Sequence, residues 1–462
     1  MTQNMILVVI PAFNSEKTIQ FSVESVLKQT HKNIKVIVVD DCSEDGTVNL
    51  LKSIKSQDSR MDYIMLRKNI GTYQAINIAL NSCKEFDYFT IHGSDDSMDE
   101  DKIEKQISSI ESNRSLASIS GYRRINLSDG KILYSMKSGE SMVVYKKIVF
   151  DELGYYDNTR FGGDSEYLER FKAKYGEQAL AKVEEILSNC YITGNNLSKN
   201  KFPLNSIDRK NYVKKYGTEI EQMKNLNIFK RDFIRKKTIC FFTCTYKREH
   251  ISVIFKNKLI ELQSQFEDYD FINLVVDSEW SNSSVFQKDD RFIYTNFDNS
   301  PLSDKWNFGL EQIKNLFFDY LILIGSDDII SPDVFRIYLQ KIEENFEFIG
   351  IEDLFMYDLE SKSMYYWPGY NNERRGETTG LGRCLSKSVV EKMNYELWNN
   401  GLERNLDGSM MSKLKNSNLI QRSFTFKCKD IGYCVDIKSD QNLTNINRFK
   451  NLEIIYQHDF EI

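Results

Sequence analysis

The sequence predicts an α/β protein built as two tandem domains, each a mostly parallel sheet flanked by helices. Apolar runs of strand length alternate with amphipathic stretches at helical spacing. The whole order occurs twice, in a chain of 462 residues that is too long for one core. At matching places both copies carry the same tetrapeptide, in DYFTIHGSDDSMDEDKI at 87–103 and DYLILIGSDDIISPDVF at 319–335. In each, a buried strand delivers two adjacent carboxylates to its carboxyl end. Such neighbours repel one another and are disfavoured in strands. One copy alone would read as a solvated turn, but a chain that builds the arrangement twice points to a cation between them.

Taken in order, the run Ile6 to Ile10 is apolar on successive residues, as in a strand covered on both faces. It ends in Pro-Ala-Phe-Asn-Ser-Glu, where Asn14 or Ser15 caps a helix carrying Ile19, Val23, Val26 and Leu27. KVIVVDDCSEDGT at 35–47 is a second strand that closes on Asp40 and Asp41 before a turn loosened by Gly46. A helix through Leu50 and Ile54, the strand YIMLR at 63–67, the turn KNIG and the helix TYQAINIAL lead to the first GSDD. In open parallel sheets ligands bind beyond the carboxyl ends of the strands, so Asp40, Asp41, Asp95 and Asp96 line one crevice. A helix at 102–111, strands around 117–124 and 131–135, and RFGGDSEYLERFKAKYG follow, the last opening an amphipathic helix at Asp164 and Glu166. CYITGNNLS at 190–198 closes the first domain, 1–198. Residues 199–237 hold twelve Lys and Arg against four Asp and Glu, with little strand pattern, and read as a basic helical linker.

The second domain, 238–462, repeats the first: TICFFTCTYKREH answers MILVVIPAFNSEK, FINLVVDSEWSNS answers VIVVDDCSED, and NFDNSPLSDKWNFGL answers RKNIGTYQAINIAL. Asp40 precedes Asp95 by 55 residues and Asp277 precedes Asp327 by 50. Asp164 lies 69 residues after Asp95, Asp407 lies 80 after Asp327, and NNLS at 195–198 is echoed by QNLT at 441–444.

A net charge of −6 argues against nucleic acid as a partner and suits an acidic, metal-using site. The eight cysteines form no CxxC pair and read as reduced core residues of a cytoplasmic protein. The N-terminal apolar run lacks a basic leader and a cleavage site, and no run is long enough to span a bilayer, which leaves at most peripheral membrane contact.

A nucleotide in the crevice gives these parts roles. Asp40 and Asp41 in the first domain, and Asp277 with Ser278 in the second, can accept hydrogen bonds from a pyrimidine N–H or a ribose hydroxyl. A divalent cation on the GSDD pair would neutralise a departing diphosphate. An acceptor hydroxyl must lose its proton as it attacks the anomeric carbon, which requires a third carboxylate: Asp164 or Glu166 in the first half, Asp407 or the weaker Glu403 in the second.

VVIPAFNSEKTI, VIVVDDCSEDGT, NIGTYQAIN, GSDD and GGDSEY, in that order over nearly all of residues 1–198, resemble a family-2 glycosyltransferase of the GT-A fold. The second half resembles the same fold more loosely, with CTYKREH at its start and a single Asp277. The resemblance implies an inverting transfer from a nucleotide-diphospho-sugar to an oligosaccharide or lipid-linked glycan, in the assembly of a capsule, O-antigen or teichoic-type polymer. It implies Mn²⁺ or Mg²⁺ held mainly by Asp96 and Asp328, and a base at the position of Asp164 rather than Glu166. Donor contacts fall on Pro11, Phe13, Asn14, Glu16, Asp40, Asp41, Asn69, Gly71, Ser94 and Asp95. In the second half they fall on Thr243, Tyr246, Arg248, Asp277, Ser278, Lys305, Ser326 and Asp327. Where the family often places a metal-binding His, this chain has Thr193-Gly194-Asn195-Asn196. Two active centres would make a polymerase; the rival expectation keeps only the first catalytic, with the second binding acceptor or dimerising. His92 either touches the diphosphate or packs at its strand end, and YYWPGY at 365–370 offers either sugar-stacking faces or buried aromatics. A pyrophosphorylase would need a glycine-rich loop after the first strand, which PAFNSE and TYKREH do not supply. A non-enzymatic carbohydrate-binding protein would neither hydrolyse nor transfer the sugar.

Overall fold

In the computed structural model, which describes residues 4–192, 206–279, 284–439, 452 and 454–455, the chain forms two compact units, Met1–Ile234 and Arg235–Ile462. The NNLS and QNLT echo and Thr193–Asn196 lie outside the described residues.

The first unit is an α/β sheet of the expected kind. β1 (Ile6–Ala12), β2 (Ile34–Asp40), β3 (Met61–Met65) and β4 (Tyr88–Ile91) are parallel, in the spatial order β3-β2-β1-β4. Ile6 through Ile10 are fully buried because α1 (Ile19–Leu27), α2 (Thr47–Gln57) and α3 (Thr72–Ser82) cover the sheet, which is why these strands read as unbroken apolar runs. The chain leaves β1 toward β2 and later crosses back to set β4 on the other side of β1. That reversal opens a crevice at the carboxyl ends, where the PAFNSE and GSDD loops emerge. Beyond β4 the sheet turns antiparallel through β8 (Val143–Lys146), then continues with β6 (Ala117–Asn126), β9 (Leu180–Ile192) and the short β5 (Asp96–Met98). α4 (Lys102–Ser112) follows β5; β7 (Ile132–Met136) pairs with β6 and is exposed along its length; α5 (Lys147–Leu153) and α6 (Gly163–Tyr175) follow β8.

The basic stretch read as a linker is, where described and as far as Ile234, part of this unit; Arg235 to Lys237 belong to the second. α7 (Ile207–Leu226), capped by Ser206, buries Tyr212, Tyr216 and Ile220 against Phe161 and Ala173. The Tyr212 hydroxyl donates to Asp157 at 3.0 Å.

The second unit repeats the order strand for strand. β10 (Thr238–Thr245), β11 (Asp270–Asp277), β12 (Phe292–Asn296) and β13 (Tyr320–Leu323) lie as β12-β11-β10-β13 and continue through β18 (Arg383–Ser386), β15 (Phe348–Ile351) and β19 (Ser423–Phe426). Where β6 and β9 run unbroken in the first unit, here each is cut in two, and β16 (Leu354–Asp358) and β20 (Cys434–Lys438) join a second sheet with β14 (Asp328–Ile330), β17 (Ser363–Trp367) and β21 (Ile454–Ile455). Asp353 sits at the cut, fully buried, accepting from the Cys428 amide at 2.6 Å and the Tyr366 hydroxyl at 2.9 Å, so the interrupted ladder leaves its polar groups satisfied. Helices α8 (Glu249–Ser264), α9 (Leu302–Gln312), α10 (Pro332–Glu343), α11 (Lys387–Lys392) and α12 (Leu406–Ser417) complete the unit.

One clasp recurs in both units. Asn77 on α3 donates to the Tyr156 carbonyl and accepts from its amide, both at 2.9 Å; Asn307 on α9 does the same to Trp398, at 3.0 and 3.3 Å. Asn77→Ala and Asn307→Ala are each expected to cost about 2 kcal/mol, because a buried amide and carbonyl lose their partners. All four tryptophans, Trp280, Trp306, Trp367 and Trp398, lie in the second unit. In urea denaturation, therefore, N307A should move the tryptophan-fluorescence transition and N77A only the transition followed by circular dichroism.

Candidate active site

In the first unit, β2 delivers Asp40 to the crevice at 2% exposure. One carboxylate oxygen accepts from the Ser43 amide at 3.2 Å; the other, Oδ1, is buried without a partner among the described residues, and burial pushes the carboxyl up. Asp41, expected to share the ligand, is occupied by the chain itself: its two oxygens accept the Ile70 and Gly71 amides at 2.7 and 2.8 Å. Asn69 and Gly71 belong to that tie. The Asn69 amide donates to the Asp41 carbonyl at 3.2 Å, and Gly71 takes φ +95°, where a Cβ would meet Arg160 at 2.8 Å. The PAFNSE loop is laced to the loop after β2. Asn14, at φ 48°, donates its amide to Ser43 at 2.8 Å, and the Ser15 and Glu16 amides reach Thr47 and Asp45 at 2.8 and 3.0 Å. Pro11 is half-buried at the end of β1, and Phe13 is exposed.

The GSDD turn follows β4. Gly93 is required because a Cβ would meet the Asp96 carboxylate at 2.5 Å, and the Ser94 hydroxyl bonds that of Ser15 at 2.9 Å. Asp96 opens β5, where it pairs with Cys190 of β9 and accepts from the Tyr191 amide at 3.3 Å. Burial, then the neighbouring Asp95, pushes its carboxyl up to about 7; burial raises Asp95 also. Asp96 makes no ion pair among the described residues, and Arg124 of β6 acts on it only at longer range. Two adjacent hard carboxylates form a donor set suited to a divalent cation. His92 packs: it is buried, and burial followed by the charge of Lys102 holds its imidazole down at about 3. Lys102, first residue of α4, is itself 1% exposed, and burial brings its ammonium down to about 8.

α6 begins at Gly163, whose missing Cβ leaves room for the Tyr73 ring, and the Tyr73 hydroxyl donates to Asp164 at 2.7 Å. Asp164 is only partly buried. Glu166 is not placed for proton transfer. It is fully buried, bonded to Arg170 at 2.8 and 3.1 Å and to Arg231 at 3.2 Å, and those guanidiniums hold α6 to the end of the basic stretch.

The second unit assembles the same stations with different partners. Asp277 is buried, but both oxygens are satisfied, by the Glu279 amide at 3.0 Å and the Tyr294 hydroxyl at 3.2 Å; Ser278 reaches Asn299 at 3.5 Å. Thr243 is buried within β10, Ser326 is buried, and Tyr246 is exposed. Lys305 does not face a diphosphate: at 1% exposure it donates to the Thr245 carbonyl at 2.5 Å. Arg248 pairs with Asp327 at 2.6 Å. Asp328 accepts the Gly325 amide at 2.7 Å and pairs across β14 and β20 with Asp436, which accepts from Lys438 at 2.5 Å. Oxygens of Asp327, Asp328 and Asp436 lie within 4.8 Å of one another. Asp407, first turn of α12, is held by the buried Arg383 at 3.2 Å and by Tyr370 at 3.4 Å, the last tyrosine of YYWPGY. Glu403 is exposed and bonded by Ser300.

Motif reading missed Tyr73, Cys190, Arg383, Asp436 and Lys438. The echo held a signal for two of them: Asp436 stands five residues before QNLT, as Cys190 stands five before NNLS.

Residues 7–170 match the family described as Glycosyl transferase family 2. TuaG of Bacillus subtilis strain 168, provisionally named as a teichuronic acid biosynthesis glycosyltransferase, is 35% identical over 118 residues, 26% of this chain and 46% of TuaG. Glycosyltransferase GlyA of Streptococcus pneumoniae serotype 4 is 28% identical over 158 residues, 34% of this chain and 22% of GlyA. The match therefore spans less than half the length of these relatives. Among solved structures, residues 1–349 of S. aureus TarS with UDP-GlcNAc align at 17% identity and a TM-score of 0.39 over 49% of this chain and 70% of that one. The mannosyltransferase PcManGT of Pyrobaculum calidifontis with GDP-Man and Mn²⁺ aligns at 14% and 0.37 over 48% and 65%.

Glu166→Gln should cost about 3–5 kcal/mol in urea, since it leaves Arg170 buried without its carboxylate, while Asp164→Asn should unfold close to the parent. For Lys102 the folded chain binds its proton more weakly than the unfolded chain, so between about pH 8 and 10.5 the unfolded state carries more protons and stability rises with pH. Lys102→Met lacks this term. Its stability advantage over the parent should shrink by on the order of 3 kcal/mol between pH 7.5 and 10.5.

Proposed function

We propose that the chain, whose residues 7–170 match the family described as Glycosyl transferase family 2, is a metal-dependent inverting glycosyltransferase. It moves a sugar from a nucleotide-diphospho-sugar to a growing surface polysaccharide, and the reaction takes place in the first unit. The observation that carries this reading is the buried Oδ1 of Asp40, which has no partner among the described residues and can accept from an N–H or hydroxyl at the end of β2. Asp95 and Asp96 are the residues that would hold Mn²⁺ or Mg²⁺, whose positive charge stabilises the departing diphosphate. Asp164, oriented by Tyr73, takes the proton of the acceptor hydroxyl; the oxygen then attacks the anomeric carbon from the face opposite the leaving group, and the nucleoside diphosphate departs with the bonding pair.

The name of TuaG supports a cell-surface polymer as product. Ile132, Leu133, Tyr134 and Met136 of β7 are exposed, and Tyr134 is paired with Arg124 beside the GSDD turn; this supports an acceptor carried on lipid. No helix among the described residues is long and apolar enough to cross a membrane.

A second transfer at Asp327 and Asp328 has weaker support. The ion pair of Arg383 with Asp407 favours reading the second unit as an acceptor-binding or dimerising module, because the carboxylate at the base's place is already engaged by a side chain of the unit. Assayed with a panel of sugar nucleotides, Asp96→Ala and Asp164→Asn should each lower transfer at least about 100-fold, while Asp328→Ala leaves it intact. Loss of any one transfer in D328A alone would restore the bifunctional reading.

A further inference from the structure

The two GSDD turns face different countercharges. Lys247 and Asn14 both adopt the left-handed conformation, at φ 51° and 48°, and both lie two residues past the strand position, Thr245 or Ala12, that pairs with Asp277 or Asp40. Arg248 therefore occupies the place of Ser15. Asp436 pairs with Asp328 as Cys190 pairs with Asp96, so Lys438 occupies the place of Ile192. Both replacements bring a cation to the carboxylates. Arg248 contacts Asp327 at 2.6 Å with side-chain exposures of 16% and 14%, and Lys438 contacts Asp436 at 2.5 Å with exposures of 7% and 19%.

We infer that the second unit occupies its carboxylate cluster from within, Arg248 on Asp327 and Lys438 on Asp436, so that the chain takes up one divalent cation, in the first unit, and none at Asp327, Asp328 and Asp436. The inference rests on the reading above only for the cation in the first unit. A divalent ion entering the second centre would have to displace Arg248 from Asp327 and then sit beside an unpaired guanidinium and ammonium in a mostly desolvated place. In the first unit a hydroxyl and an aliphatic side chain stand at those two positions, and Asp96 has no ion pair among the described residues to be broken.

Mn²⁺ alone, titrated into the full chain with free Mn²⁺ read by its solution EPR signal, tests this. One ion per chain is expected, lost in Asp96→Asn and kept in Asp328→Asn. Importing the first unit's residues, as R248S with K438I, should add a second ion, and R248S alone should add a weaker one; tryptophan fluorescence, which comes from the second unit only, checks that these variants fold. Two ions on the parent, one of them lost in D328N, would overturn the inference, as would a folded double variant that gains none. No ion on the parent but one on the double variant would sink the first-unit reading while leaving the internal neutralisation standing.

Discussion

Two adjacent carboxylates at the tip of a buried strand are an electrostatic debt that each unit has to settle. Taking a charge out of water is costly unless an opposite charge or several donors replace the lost solvent, and a second like charge alongside raises the cost. In the first unit the Asp96 carboxyl, pushed up to about 7, has the Tyr191 amide, the Cys190 thiol and the more distant charge of Arg124 around it, and no ion pair among the described residues. The second engages two of its three carboxylates with its own cations, Arg248 on Asp327 and Lys438 on Asp436, while burial and those two carboxylates still push Asp328 up. Most other differences between the units follow from that choice, because a site that holds its own countercharge has less use for an external one.

The mostly parallel sheets flanked by helices and the placement of their loops were legible in the sequence. Apolar runs report strands buried on both faces, and the GSDD and PAFNSE motifs mark where those strands end. What was not legible is who satisfies whom. Asp41 looked like a ligand-binding partner to Asp40, yet two amides from the loop before α3 take both its oxygens. Glu166 looked interchangeable with Asp164, since both lie in the first turn of α6, but one points to the interior and meets Arg170. Lys305 and Arg248, placed among the donor contacts, are largely buried and bond the Thr245 carbonyl and Asp327. Asp436 could be seen only through a pairing between β14 and β20 that no local pattern encodes. In every case the deciding partner lies on another element, and hydrogen-bond ownership is set by tertiary packing.

The second unit also shows how a fold tolerates drift away from its site. Long strands of the first unit are cut in two there, and a single buried carboxylate, Asp353, absorbs the cut by accepting from the chain and from Tyr366. Only the crevice end changed its chemistry: Tyr294 meets Asp277, Arg383 meets Asp407, and Arg248 meets Asp327. The core order was kept while Asp277, Asp327 and Asp407 at its rim gained side-chain partners.

The packing of α7 bears on where the first unit can be cut free. A fragment ending at 198, where the motifs stop, would strip Tyr212, Tyr216 and Ile220 from Phe161 and take Arg231 away from Glu166. The helix that carries the proposed base would keep its motif and lose its seat. A fragment that keeps these contacts has to run past Arg231, so its end is set by a segment that carries none of the motifs.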